Sequence, residues 1–192
     1  MRKIIAFCGY ARSGKDTAAA VLVEQGWQRV AFADAVRDFA LVINPWIGVE
    51  SIRNNYEGAL YTEIPLCRHL REIVSVSGWD DAKKNPHVRQ LLIDIGMGGR
   101  EKLFPTIWMD VVRRKIEATE SDIVLTDCRF PNEAEMIHGM GGKVVRIDRP
   151  GIEPQGAPDL AVDEIKFDGL LVNDKTVEEL RGCVKLLIED WF

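Results

Sequence analysis

Residues 9–17, Gly9-Tyr-Ala-Arg-Ser-Gly-Lys-Asp-Thr17, nearly spell the phosphate-cradling pattern G-x-x-x-x-G-K-[ST]. Asp16 stands where that pattern carries a hydroxyl. Just before the loop, Ile4 to Cys8 is a short apolar run suited to a buried parallel strand. Just after it, Lys15 to Glu24 consists of good helix formers and stops at Gln25-Gly26. Strand, glycine loop and helix therefore follow in order. Consecutive backbone N–H groups from Gly9 to Lys15, those of Arg12, Ser13 and Gly14 among them, can wrap an anion, with the positive end of the helix dipole behind them. Gly9 and Gly14 allow a turn that side chains would block. Lys15 is placed to neutralise the β- and γ-phosphates of a nucleotide. A carboxylate among phosphates is costly unless a metal or an arginine offsets it. Asp16 then holds magnesium, directly or through water, or Thr17 supplies the missing hydroxyl; Arg12 is a candidate counter-charge. The bland alternative is an ordinary strand-to-helix turn.

Outward from the loop, strands and helices keep alternating. Arg29–Phe32 reads as a strand, and Asp34 caps a helix from Ala35 to about Val42. Asn44–Tyr61 mixes Pro, Gly, Asn and aromatics and is expected to be irregular. A helix is expected from about Ile64 to Val76, then a charged turn over Gly78–Lys84. Val88, Leu91, Leu92 and Ile95 share one face of a helix that begins at Pro86 and is expected to end at Gly96 and Gly98-Gly99. Trp108–Ala118 is another helix. Ile123–Thr126 is a buried-type strand, Pro131–Met140 a helix, Lys143–Ile147 a strand and Leu170–Val172 a last short strand. Gly151–Asp163 is expected to be a mobile flap, and Thr176–Glu189 the closing helix. This alternation predicts one α/β domain over residues 1–192, doubly wound on a parallel sheet. Ligands of such sheets bind at the carboxyl ends of the strands, and Gly9–Lys15, Asp127 and Arg149 all fall there.

The bulk properties narrow the function. The chain has 192 residues and a net charge of -5, so duplex DNA is not an expected partner. The four cysteines (Cys8, Cys67, Cys128, Cys183) form no C-x-x-C pair and read as reduced core fillers in a cytosolic protein. The three histidines share no zinc spacing. Neither a signal peptide nor a spanning segment is expected, so the protein is placed in the cytoplasm, away from membranes.

Asp127 follows an apolar strand, a position from which a carboxylate meets a nucleotide's magnesium. The planar fork of Arg129 suits bidentate phosphate binding. Arg146 and Arg149 bracket Asp148, and strand alternation favours Arg149 as the residue that closes over a transferring phosphate. Asp34 and Arg37 follow the second strand, where a phosphate acceptor would sit. Arg68, Arg71 and Arg89 lie on predicted helices of the middle region, each with an equal claim to be a surface charge. Trp79 and Trp108 are candidates for stacking on a base, against the default of core packing.

These residues together resemble the bacteriophage-type deoxynucleoside monophosphate kinases, a branch of the P-loop NMP kinases. The resemblance rests on RSGKDT at Arg12–Thr17, FADAVRD at Phe32–Asp38, VRQLLIDIG at Val88–Gly96 and IWMD at Ile107–Asp110. It continues through TDCRFPNEAE at Thr126–Glu135, VVRIDRPG at Val144–Gly151 and LVNDKTVEEL at Leu171–Leu180. It implies a three-layer P-loop NMP-kinase-like fold: a five-stranded parallel sheet flanked by helices, a helical acceptor-binding insertion at about 44–104 and a short lid at about 149–163. It also implies ATP and a dNMP as substrates, dNDP as product and Mg2+ as cofactor. Gly9–Thr17 would bind ATP, and Lys15, Asp16, Arg129 and Arg149 would serve the transfer. Asp34, Arg37, Arg68 and Arg89 would bind the acceptor, and Asp16, Thr17 and Asp127 the metal. No direct nucleic-acid binding is implied, and monomer or homodimer is left open. The competing readings are another small-molecule P-loop kinase, of the dephospho-CoA or phosphomevalonate type, and a nucleotide-gated interaction module without transfer chemistry.

Overall fold

The computed structural model describes residues 2–53, 63–155 and 157–192. The chain divides into two compact units, Met1–Phe32 with Met109–Phe192, and Ala33–Trp108.

The first unit is built on a five-stranded sheet. Its strands are β1 (Ile4–Cys8), β2 (Gln28–Val30), β5 (Ile123–Cys128), β6 (Lys143–Asp148) and β7 (Gly169–Val172). Their order is β2-β5-β1-β6-β7, and every neighbouring pair is parallel. Residues of β1 are buried on both faces, as its unbroken apolar run requires. Ile5 and Phe7 face α1 (Lys15–Glu24) and α8 (Val177–Trp191), packing with Leu22, Leu180, Val184 and Ile188. Ile4 faces the other way, toward Ile137 of α6 (Pro131–Gly139), across a gap that only Gly142 fits: a Cβ there would lie 2.7 Å from Ile137. Helices on both faces give three layers. Thr176 closes the N-terminus of α8 in a reciprocal capping box with Glu179.

The second unit contains most of α2 (Phe32–Ile43), an antiparallel pair β3 (Trp46–Arg53) and β4 (Glu63–His69), and the helices α3 (Leu70–Ala82) and α4 (Pro86–Lys102). Helix α5 (Ile107–Glu117) begins in this unit. Its core is Ala40, Ile47, Leu70, Ala82 and Val88, with Leu91, Leu92 and Ile95 packed alongside.

Several expectations about this unit are corrected. Trp46–Arg53 is a strand, not irregular chain; the remainder of that stretch, 54–61, lies outside the described residues. Glu63–His69 is its partner strand rather than the start of a helix, because cross-strand pairing supplies backbone partners that composition did not signal. Helix α3 runs on to Ala82 through a break at Gly78 (φ 70°), where a turn was expected. Helix α4 continues past Gly96, Gly98 and Gly99 to Lys102. The glycines serve packing there, not termination. A Cβ on Gly99 would lie 2.6 Å from the Trp108 ring, and the indole N–H donates to Gly96 O at 2.9 Å. Trp108 is therefore core.

At the start of β6, Asp168 accepts hydrogen bonds from Val144 N–H (2.8 Å) and Lys143 Nζ (3.2 Å) and pairs with His138 Nε2 (2.9 Å). Burial alone would raise the Asp168 carboxyl, but these bonds outweigh it and hold it below the usual carboxylate range. A depressed folded value means that its stabilisation is present above the unfolded value and is lost as pH falls through the folded one. Asp168→Asn is expected to cost about 1 kcal/mol at neutral pH. It should also flatten the acid limb of a stability–pH profile from denaturant midpoints, with no effect at the acid extreme.

Candidate functional site

In the first unit, the loop after β1 closes on itself around Lys15. Its ammonium lies 2.8 Å from Gly9 O, 2.6 Å from Tyr10 O and 3.5 Å from Ser13 Oγ. Lys15 is only 8% exposed, and Ser13 is buried as well. Burial pushes the Lys15 pKa down, helped by Arg129 and opposed by Asp159 and Asp16. Arg12 adopts φ 66°, a left-handed conformation uncommon outside glycine, and its side chain is exposed.

The two loop glycines are demanded by neighbours. Gly9 (φ 139°) passes so close to β6 that a Cβ would lie 2.3 Å from Ile147 O. Gly14 (φ 107°) lies beneath Asn173, where a Cβ would come within 2.6 Å of Nδ2. That same Nδ2 donates to Ser13 O at 2.8 Å, and the Asn173 N–H donates to Asp148 O at 2.7 Å. Asn173 thus ties the end of β7 to both the loop and β6. Sequence reasoning gave it no role; its signal was its place just past the last strand. Beside it lies a cavity of about 270 Å³ lined by Asn173, Lys175, Thr176, Leu180, Cys183 and Leu186.

Asp127 sits where the register of β5 against β1 slips: Ala6 pairs with Leu125 but Cys8 with Cys128. An extra residue at such a point re-aims a side chain. The Asp127 Oδ1 accepts the N–H of Phe32, first residue of α2, at 2.7 Å. One of its oxygens thus already serves a helix start. Arg129, two residues on, is about half-buried. Its backbone N–H and that of Phe130 donate to Glu133 Oε2 at 2.8 and 3.2 Å. Glu133 is 2% exposed and had not been singled out from the sequence.

The expected flap is only partly loose chain. Ala157–Leu160 forms a short helix, α7, followed by a 3-10 turn over Ala161–Glu164. Two acids fasten this segment to the loop. Asp159 accepts the Ala11 N–H (3.3 Å) and lies 3.8 Å from Arg129 Nη1. Asp163 accepts the Tyr10 phenol at 2.8 and 2.7 Å and Arg146 Nη2 at 2.8 Å. Arg146 also lies 5.3 Å from the Tyr10 ring centroid, so it is the member of the Arg146/Arg149 pair that reaches the loop. Arg149 is exposed in the turn after β6.

Asp16 is exposed and Thr17 half-buried at the start of α1. Counted with Asp127, these are two carboxylates and a hydroxyl, oxygen donors of a kind that suits Mg2+. Among the described residues no group of three or more His, Cys, Asp or Glu converges on a point. Cys8 and Cys128 are buried neighbours in register; burial pushes the Cys8 thiol up to about 11 and the Cys128 thiol well above its ordinary value. Cys67 and Cys183 are exposed rather than core.

The candidate acceptor residues belong to the second unit. Asp34 and Arg37 form an ion pair at 3.1 Å, with the Arg37 guanidinium 5.9 Å from the Trp79 ring. Arg68 and Arg89 are exposed, and Arg71 donates to Leu41 O at 3.1 Å.

With this geometry in view, known proteins can be compared. No protein-family model matches the chain. It is 29% identical over 189 residues to a protein named "Putative deoxynucleotide monophosphate kinase" from Acanthamoeba polyphaga mimivirus, covering 92% of this chain and 91% of that one. The crystal structure of TT1252 from Thermus thermophilus matches with a TM-score of 0.51 at 13% identity, over 100% of this chain and 98% of that one. Shikimate kinase from Aquifex aeolicus aligns at a TM-score of 0.46 and 15% identity, over 97% and 96% of the two chains. The fold, a five-stranded parallel sheet with helices on both faces, is shared with TT1252. No helix among the described residues is long and apolar enough to cross a membrane.

Glu133 holds the turn that presents Arg129. Glu133→Ala is expected to cost about 2–3 kcal/mol, because it leaves two inward N–H groups without their acceptor. Glu133→Gln, which keeps an acceptor oxygen, should cost less; urea unfolding of the two variants checks the order.

Proposed function

We propose that the protein is an ATP-dependent phosphotransferase that moves the γ-phosphate of ATP to a deoxynucleoside monophosphate, giving ADP and a dNDP. The observation that carries the reading is the buried Lys15 ammonium, folded inside a glycine loop between β1 and α1. A lysine kept in that position needs an anion to justify its burial, and a polyphosphate matches a cradle of loop amides. The 29% identity to the mimivirus protein, spread over nearly the whole chain, supports the acceptor class.

In this reading, Gly9 and Arg12 to Thr17 receive the ATP phosphates, and the cavity beside Asn173 receives the base. Lys15 and Arg129 neutralise charge on the transferring phosphoryl group. Asp16, Thr17 and Asp127 would hold Mg2+, which supplies further neutralisation of phosphate charge. Asp34, Arg37, Arg68 and Arg89 bind the acceptor phosphate, with Asp34 orienting Arg37 through their ion pair. Arg149, exposed beyond β6, is the candidate to approach as the lid closes. Little covalent work is required of the protein, since the acceptor phosphate is itself the nucleophile. Exclusion of water then decides whether the phosphoryl group reaches the acceptor or is wasted by hydrolysis.

An ADP-release assay over dNMPs, NMPs, dephospho-CoA and phosphomevalonate tests the assignment. Turnover is expected with one or more dNMPs, and turnover confined to a non-nucleotide acceptor would overturn it. Lys15→Ala should lower transfer by at least about a thousandfold while circular dichroism shows the fold retained. Normal turnover by that variant would refute the role given to the loop.

A further inference from the structure

Among the described residues, Asp159 is the most deeply buried acid. Its side chain is 2% exposed. One oxygen, Oδ2, accepts the Ala11 N–H at 3.3 Å and the Gln155 N–H at 2.9 Å. The other, Oδ1, is buried and accepts no hydrogen bond from the described residues. Its companion there is Arg129 Nη1, at 3.8 Å. An ionised carboxylate with an oxygen left dry is costly. What offsets that cost is the positive surrounding: a loop amide, Arg129, and Lys15, whose own charge is favoured by Asp159.

Lys15 and Arg129 are groups that the proposed function assigns to the donor's phosphates, and the Ala11 amide belongs to the same loop. A carboxylate and a terminal phosphate share the same chemistry: planar or tetrahedral oxygens, negative charge, and a need for N–H donors and a guanidinium. Both cannot take the Ala11 amide and the Arg129 fork, and two anions at such spacing repel strongly in a site with little water. We infer that Asp159 is a built-in competitor of the triphosphate: it docks on the donor loop as a phosphate surrogate, and donor binding must displace it. The inference rests on reading Gly9–Thr17 as a triphosphate cradle.

The chain around Asp159 is suited to such an exchange. It contains the single-turn helix α7, Ala157–Leu160, followed by the 3-10 turn over Ala161–Glu164. Gly151, before it, has φ 80° and stands exposed in the turn that follows β6. Downstream, the segment is held separately by Asp163 on Tyr10 and Arg146. Release of Asp159 therefore need not free the whole segment. It does free Arg129, so that arginine is handed from the carboxylate to the incoming phosphate. The guanidinium is neutralised without donor and becomes available with it.

Two measurements test this. The first is calorimetric titration of wild type and Asp159→Asn with ATP and with inorganic tripolyphosphate. Asparagine keeps the shape but removes the competing charge, so both ligands should bind at least about tenfold more tightly to the variant. An acid that merely braces the segment would give weaker or unchanged binding, and that result overturns the inference while leaving the cradle standing. If wild type binds neither ligand, the cradle and this inference fall together. The second measurement uses wild type alone and does not depend on the variant folding. Hydrogen exchange of the Gln155 amide, which Asp159 now protects, should speed up several-fold when tripolyphosphate is added. Exchange that slows or stays unchanged would mean that Asp159 remains docked, and would overturn the proposal.

Discussion

A full positive charge buried inside a nine-residue loop is the constraint on which the first unit depends. Lys15 reaches back to the carbonyls of Gly9 and Tyr10, and that reach requires the chain to turn tightly between β1 and α1. The turn is possible only because neighbouring strands press on glycine backbone: Ile147 O against Gly9, and Asn173 against Gly14. The strands must in turn lie side by side and end at one level, which the parallel order β5-β1-β6-β7 provides. The loop is thus not an appendage of the sheet. Its shape is imposed from β6 and β7, elements far from it in sequence, and a change at Asn173 or Ile147 would be felt at the lysine.

How much of this was legible depends on where the stabilising contacts are local. Ile4–Cys8 and Lys15–Glu24 could be read residue by residue, because a central parallel strand is continuously apolar and the helix is made of strong formers. The five-stranded sheet followed from the same alternation, and Pro86 at the first turn of α4 was readable by local chemistry. What escaped was set by distant partners. Trp46–Arg53 and Glu63–His69 become strands because they pair with each other. Gly96 and Gly99 look like helix stops until Trp108, close in sequence but on another helix, packs on them. Asp159 and Asp163 carry no local signature, since each is defined by donors on other elements; Glu133 sits in a local pattern, as third residue of α6, which opens on Pro131, that the sequence reading passed over.

Three of the arginines singled out above come with acids of their own. Arg129 faces Asp159, Arg146 faces Asp163, and in the second unit Arg37 faces Asp34. These three arginines are each held by a carboxylate, whereas Arg12, Arg68, Arg89 and Arg149 stand exposed.

Pairing each arginine also changes what phosphate binding must accomplish. A bare arginine gains from any anion and discriminates poorly. An arginine already held by a carboxylate gains only from a ligand that replaces the carboxylate's hydrogen bonds and exceeds its charge. A phosphate ester meets that condition through its extra oxygens and greater negative charge, whereas a carboxylate metabolite merely exchanges like for like. In the proposed function, selectivity for phosphate over other anions would then arise from exchange. Arg129 shows the arrangement most fully, because its backbone is fixed by Glu133 while its side chain answers to Asp159. One acid sets where the guanidinium is presented, and in the proposed function the other would set how strong an anion must be to claim it.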